Sequence, residues 1–377
     1  ASDPCVIYQP RVDEERTNFT EKDVRLIAQM HKAISVIEFK LSGQIAMQHP
    51  EWNMMDRCLM EFIDKERGVI TIDGKEYEMK DKLWPTLDPA HPYDLTPEEQ
   101  DVIDRLRHSF MRSERLQNHV SCLLMRGGMY AIYNSNLMFH AAVPINEDGS
   151  MREVVFDGEP VKGKELLRKV ERMARTAFDD VDEEVRNRYA DFFWYLWCGP
   201  ESPLFGKAKM ATFERYLLDD KEVQKEPKGW YYILRDNPEV CDRILDEFGV
   251  KGDHRHIING HVPVRVGKGE TPIKADGRLM VIDGGFSKVY HNRTGIAGYT
   301  LVYHSRGFEL VQHTPFTSTE EAILNGTDIH STTKIVEVVG EREKVRDTDI
   351  GRGIMVKVAD LERLLYAYRK GIIKERP

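Results

Sequence analysis

Apolar residues recur at three- and four-residue steps at Ile27, Met30, Ile34, Ile37, Leu41 and Ile45. That spacing marks one face of a helix, so a long helix is predicted, capped by Thr20. It stops near Gln48, because Pro50 biases His49 away from helical backbone. A short helix is expected over residues 54–63. Alternation then takes over, and VITIDGKEYEM reads as a hairpin turning at Asp73-Gly74. Thr96-Pro97-Glu98-Glu99 joins a capping box to a proline at the first helical position. The helix it opens carries Ile103, Leu106, Phe110, Val120 and Leu123 as far as Gly127-Gly128.

In MYAIYNSNLMFHAAVP two apolar runs flank a turn at Asn134-Ser135-Asn136, and the second run finishes in His140. Residues 164–248 read mostly as helix, in KELLRKVERMARTAF, EEVRNRYADFFWYLW and EVCDRILDEF. Phe192, Phe193, Trp194 and Trp197 are expected to build core. Beyond Ile257 the pattern turns to strands: HIING, RLMVID, GYTLVYHS and FELVQH, separated by turns such as Asp276-Gly277 and Ser305-Arg306-Gly307. The polar stretch 317–333 reads as loop. TKIVEVV and a last helix near 360–369 close the chain, and no internal repeat interrupts it.

The 377 residues are long enough for one large domain or two. Against 54 Lys and Arg stand 63 Asp and Glu, a net charge of −9, which argues against a nucleic-acid surface. No apolar run approaches membrane-spanning length and no signal peptide heads the chain. Cys5, Cys58, Cys122, Cys198 and Cys241 are odd in number and lack C-x-x-C spacing, so a disulfide framework or zinc ribbon is not expected. A reducing cytoplasm is the expected setting.

Chemistry enters at HRHIINGHVPVR, which reads as a buried strand ending in Gly260 and then His261. With His140, two histidines stand at strand ends, and neutral imidazoles there suit a divalent transition ion. The bland alternative is a pair of ordinary strand-end histidines. His254 and His256 read as solvated loop residues rather than as part of a cluster with His261.

The stretches MHKAISVIEFKLSGQI, YDLTPEEQDVI, YNSNLMFHAAVP, SPLFGKAKMATFERY, IINGHVPV and VIDGGFSKVYHNRTGIAGYTLVY run through nearly the whole chain. In them the chain resembles the calcineurin-like metallophosphoesterases, and within these the C-terminal part of the class III fructose-1,6-bisphosphatases. The resemblance implies an α/β fold, the second half of a calcineurin-like αββα sandwich with large helical additions. The expected organisation is a mainly helical segment 1–128, the second half of the core at 129–316 with a helical insertion at 164–248, and a strand and helix extension at 317–377.

By the same resemblance, His140 corresponds to the histidine after the third metal motif and His261 to the first histidine of the final G-H motif, both on one ion of a pair. Val262 and Pro263 follow, so the second histidine of G-H-x-H is missing. The motifs G-D-x-x-D-R-G and G-N-H-D/E do not occur. The D-x-H string at Asp328-Ile329-His330 reads as a surface decoy, and Asn118-His119 lacks the preceding glycine. The catalytic histidine and bridging aspartate are therefore expected in an N-terminal half outside these residues. The opening at Ala1 without an initiator Met fits a fragment or a downstream proteolytic product, which holds half an active site.

WYLWCGPESPLFGK resembles the phosphoprotein-phosphatase segment that brings a cation to the phosphate, with Lys207 as candidate and Arg215 behind it. A solvated lysine is the alternative. Asp283 before Gly284-Gly285 resembles an acidic turn beside the metals. Lys274, Ser287 and Lys288 could meet the sugar or its second phosphate, and a plain β-turn is the competing reading. The activity implied is hydrolysis of the 1-phosphate of fructose 1,6-bisphosphate, a gluconeogenic step, through a pair of divalent ions, Mn2+ or else Mg2+. Partners implied are that sugar, the N-terminal half and further copies of the chain, with no membrane. The rivals are a non-catalytic binding or regulatory module, and a phosphatase of other specificity on the same scaffold.

Overall fold

The computed structural model describes residues 4–10, 20–316, 318–326 and 331–374. In chain order the first elements are α1 (Glu21–Gln48), β1 (Ile63–Asp64), β2 (Val69–Ile72), β3 (Lys75–Glu78), α2 (Pro97–Arg112) and α3 (Glu114–Arg126). Then come β4 (Tyr130–Tyr133), β5 (Asn136–Phe139), β6 (Val154–Phe156), β7 (Glu159–Val161), α4 (Gly163–Asp179), α5 (Glu183–Cys198), α6 (Thr212–Leu217), α7 (Trp230–Leu234) and α8 (Pro238–Glu247). The last are β8 (His256–Asn259), β9 (Ile273–Lys274), β10 (Leu279–Val281), α9 (Lys288–Thr294), β11 (Gly298–His304), β12 (Gly307–His313), α10 (Thr319–Asn325), β13 (Ser331–Val338) and α11 (Asp349–Arg369). The chain is thus mixed α/β. None of the described helices is long and apolar enough to cross a membrane.

These elements form two compact units, one of 1–128, 172–202 and 207–228, the other of 129–171, 203–206 and 229–377. In the first unit α1 runs where its periodicity places it, with the Thr20 hydroxyl and the Asp23 carboxylate closing a capping box. The expected helix at 54–63 is instead two 3-10 turns, Met55–Arg57 and Met60–Phe62, before β1. The hairpin β2–β3 turns at Asp73 and Gly74, both at positive φ. The capping box at Thr96 opens α2. The single helix expected there breaks at Ser113, whose hydroxyl caps α3. Phe192 is buried, but Phe193 and Trp197 are exposed by 43% and 49%. Only part of that aromatic run is core, because a helix turns its aromatics to all sides.

The second unit holds a five-stranded sheet in the order β4-β5-β8-β10-β9. Its centre, β5-β8-β10, is parallel, and antiparallel β4 and β9 close the edges. Alternation sorts its side chains onto two faces. Met138, Ile258, Met280 and Ile282 pack against Leu301, Tyr303, Phe308 and Val336 of the antiparallel sheet β11-β12-β13. Leu137, Ile257, Leu279 and Val281 on the other face are wholly buried, and α8, which packs on β8, buries Val240, Cys241, Ile244 and Leu245. A parallel strand covered on both faces must be apolar throughout.

Three expectations change here. His256 is not a solvated loop residue. It is buried in β8, against Phe308, with a hydrogen bond to Asn136 and the Glu337 carboxylate 3.3 Å from its Nε2. His254 does lie exposed before the strand, paired with Glu337. The stretch 317–333 contains α10, capped by Ser318, and the start of β13, while Asp328-Ile329-His330 lies outside the described residues. Finally, α11 begins at Asp349, eleven residues before the helix expected near 360, because Thr348 caps it and Gly351 and Gly353 are absorbed into its first turns.

Candidate metal centre

The three central strands of the five-stranded sheet each deliver one candidate residue just past their carboxyl ends: β5 gives His140, β8 gives His261 and β10 gives Asp283. Crevices outside the carboxyl ends of parallel strands are where such sheets bind ligands. Hydrogen bonds continue the ladder past the strands. The Gly260 amide donates to the His140 carbonyl at 2.9 Å, and the Val264 amide to the Asp283 carbonyl at 2.9 Å.

This register brings the two imidazoles together. His140 Nε2 lies 3.0 Å from His261 Nδ1, with the ring planes 69° apart. Two nitrogens bound at right angles to one ion, at about 2.1 Å each, would sit about 3.0 Å apart. The two rings are hydrogen-bonded to one another, and the same spacing would suit two nitrogens on one divalent ion. Partial burial holds the His140 pKa below its usual value despite the opposing charge of Asp283. Among the described residues no group of three or more His, Cys, Asp or Glu converges to complete a cation site.

His261 stands at φ +68. The Val262 amide bonds to the Gly260 carbonyl across it at 2.9 Å, a γ-turn of the positive-φ kind, which is strained. The preceding Gly260 is less demanding than its sequence position implies, since a Cβ there would meet Asp283 Cβ at an ordinary 3.5 Å. Close approach occurs instead at Gly284, whose added Cβ would lie 2.5 Å from Gly298 Cα. Gly285, at φ +69, donates its amide to Asp283 Oδ1 at 2.9 Å and so orients that carboxylate.

The remaining candidates fall elsewhere. Lys274 on β9 pairs with Asp236 at 3.1 Å. Ser287 is exposed, and Lys288 opens α9 with its side chain outside what the structure describes. Lys207 and Arg215 belong to the first unit, where Lys207 Nζ and Arg215 Nη1 lie 2.6 and 2.9 Å from the two oxygens of buried Glu226.

A supporting network under His140 gave no sequence signal beyond the aromatic string WYYIL. The carbonyl of Ala141 accepts from Tyr232 Oη at 3.1 Å and from Asn259 Nδ2 at 2.9 Å, and Asn259 Nδ2 also reaches Tyr231 Oη at 2.8 Å. Burial pushes both tyrosine pKa values up, so both phenols stay neutral, Tyr232 donating to Ala141 and Tyr231 accepting from Asn259. Arg235 lies 4.9 Å over the Tyr232 ring. A cavity of about 400 Å3 opens at the other end of β8, lined by Asp242, Arg255, His256, Asp276, Arg278 and Glu337. Its two guanidiniums are already paired with Asp242.

Residues 1–370 match the family described as Firmicute fructose-1,6-bisphosphatase. Similar proteins include the fructose-1,6-bisphosphatases class 3 of Bacteroides fragilis, 55% identical over 377 residues, and Bacteroides thetaiotaomicron, 54% identical over 377 residues. Both alignments cover 100% of this chain and 57% of the relative. A class 3 relative from Clostridium beijerinckii is 48% identical over 373 residues, 99% of this chain and 56% of that protein. The chain thus spans little more than half the length of these relatives. No solved structure matches it. Matched along almost its entire length, the chain belongs to the Firmicute fructose-1,6-bisphosphatase family.

Proposed function

We propose that this chain supplies one side of the metal centre of a fructose 1,6-bisphosphate 1-phosphatase. The observation that carries the reading is the 3.0 Å approach of His140 Nε2 to His261 Nδ1 beyond two adjacent parallel strands. The names of the similar proteins supply the substrate. The contact between the five-stranded and three-stranded sheets, with α8 on the far face, supports reading the second unit as half of a calcineurin-like sandwich.

In this reading His140 and His261 hold one ion of a pair, Mn2+ in preference to Mg2+ because both donors are imidazoles. A bound pair of divalent ions would supply charge to offset the phosphoryl oxygens and would activate water. The chain's own contribution is orientation. The γ-turn aims His261, the Ala141 network fixes the backbone behind His140, and the Asp283 carboxylate faces Gly260 at the rim. Lys274 and Ser287 are the candidates within the second unit for the sugar or its second phosphate. Lys207 and Arg215, the other phosphate candidates, are engaged by Glu226 within the first unit. The bridging aspartate and catalytic histidine come from an N-terminal half.

The absence of a third converging ligand among the described residues also suits a non-catalytic, metallophosphoesterase-like module. The two readings separate in one experiment: phosphate release from fructose 1,6-bisphosphate and from a panel of other phosphomonoesters by this chain joined to its upstream segment, with Mn2+. The enzyme reading expects fructose 6-phosphate and inorganic phosphate, lowered at least about 100-fold by His140→Ala or His261→Ala. No release from any substrate supports the module, and release only from other esters reassigns the specificity.

A further inference from the structure

The helix α11 is 21 residues long, yet Gly351 alone among them is buried. It is tied down at its start. Asn134 and Asp349 exchange hydrogen bonds of 2.7 and 2.8 Å, and a Cβ on Gly351 would collide with the Val345 carbonyl. From there to its end it stands clear, with Ile354, Val358, Leu361, Leu365 and Tyr368 each exposed by 40% or more. Most of a helix's stability in a protein comes from packing of its apolar face, and an apolar strip of this size on a surface marks a contact.

The pattern names the partner. Within α11 Ile354, Leu361 and Tyr368 occupy every seventh place, Val358 and Leu365 do likewise, and the two series interleave at four- and three-residue steps. They are the d and a positions of a heptad seam. At the centre of the seam Val358 at a with Leu361 at d is the combination that favours two parallel strands, while Ile354 at d and Leu365 at a are not. The flanking charges agree. Lys357 falls at g and Glu362 at the next e, five residues on, so a parallel, in-register pair sets Lys357 of each copy beside Glu362 of the other. An antiparallel pair centred on the seam would bring the two Glu362 side chains together, which like charge opposes. Met355 and Leu364, exposed at the neighbouring e and g places, widen the strip.

We propose that α11 pairs two copies of this chain as a parallel, two-stranded coiled coil along Ile354–Val358–Leu361–Leu365–Tyr368. The pairing is independent of the chemistry at the histidines. Sedimentation velocity on the 377-residue chain from about 1 to 100 μM tests it. The expected result is a concentration-dependent monomer–dimer equilibrium, abolished by the double variant Leu361→Asp/Leu365→Asp. Because these side chains are exposed, that variant keeps the near-ultraviolet circular dichroism of the parent, which separates loss of pairing from loss of folding. Lys357→Glu weakens the dimer about tenfold, and Lys357→Glu/Glu362→Lys restores it. A chain that is monomeric throughout overturns the proposal. So does a dimer indifferent to the aspartates, or α11 protected from proteolysis only by the added upstream segment or by phosphatidylglycerol vesicles.

Discussion

His261 occupies backbone territory that glycine enters freely and histidine does not, with φ +68 inside a γ-turn. Strain of this kind persists where the side chain is needed. His261→Gly should therefore stabilise the fold by about 1 kcal/mol, raising Tm by a few degrees, while removing one of two imidazoles from the ion. Differential scanning fluorimetry beside Mn2+ binding followed by electron paramagnetic resonance checks both halves. A lower Tm for His261→Gly would mean the turn is not strained. Glu226 answers to pH instead. Burial would raise its carboxyl, but Lys207, the Ala211 amide and Arg215 outweigh burial and hold its pKa below the usual value. A carboxylate depressed in the folded state contributes stability that is full above the unfolded pKa, about 4.3, and fades as pH falls through the folded value. Glu226→Gln should cost about 1–3 kcal/mol at pH 7, and the gap to the parent should close below about pH 4. A gap that is flat with pH would show that the charge contributes nothing.

At the scale of elements, the strands around the site were legible because their signals are strong. HIING and RLMVID are apolar on both faces, the mark of covered parallel strands, and the turn at Asn134-Ser135-Asn136 follows from its residue types, though not the positive φ that Asn134 and Ser135 both take. What could not be read was pairing at a distance. Nothing in the sequence said that His256 would lie beneath β12, because its burial depends on Phe308 and on Glu337, 81 residues on. The start of α11 was missed for a local reason. Gly351 and Gly353 look like breakers, but Gly351 is there to let the helix pass the Val345 carbonyl. The same logic makes Gly284 the element most sensitive to change near the site. A methyl at that position would stand 2.5 Å from Gly298 Cα and 2.9 Å from Ile296 Cδ1, so the segment after β10 and the start of β11 would have to separate. Gly284→Ala should cost about 2 kcal/mol or more, whereas Gly260→Ala, with only ordinary contacts, should be nearly neutral. Urea denaturation of the two variants ranks them, and equal losses would show that the Gly284 contact relaxes freely.

At the scale of the whole molecule, the two units are threaded through one another along the chain: the boundary is crossed at 128/129, 171/172, 202/203, 206/207 and 228/229. Residues 172–202 and 207–228 therefore fold with 1–128 although they follow His140 in sequence. Within that unit Phe213 packs on Phe39 at a ring separation of 5.0 Å and Tyr195 on Trp52 at 5.0 Å, while Phe192 and Leu217 are equally buried. Truncation to residues 129–377 would keep these four side chains and remove their cover. Exposing each costs about 1.5–3 kcal/mol, a sum comparable with the 5–15 kcal/mol that holds a typical protein folded. The truncated chain should therefore be recovered largely insoluble, or soluble with strong binding of a hydrophobic dye, although it retains both candidate metal ligands. If 129–377 instead unfolds cooperatively and leaves the dye unbound, the segments 172–202 and 207–228 contribute little to the first unit, and the strand-end histidines could be studied on a much smaller protein.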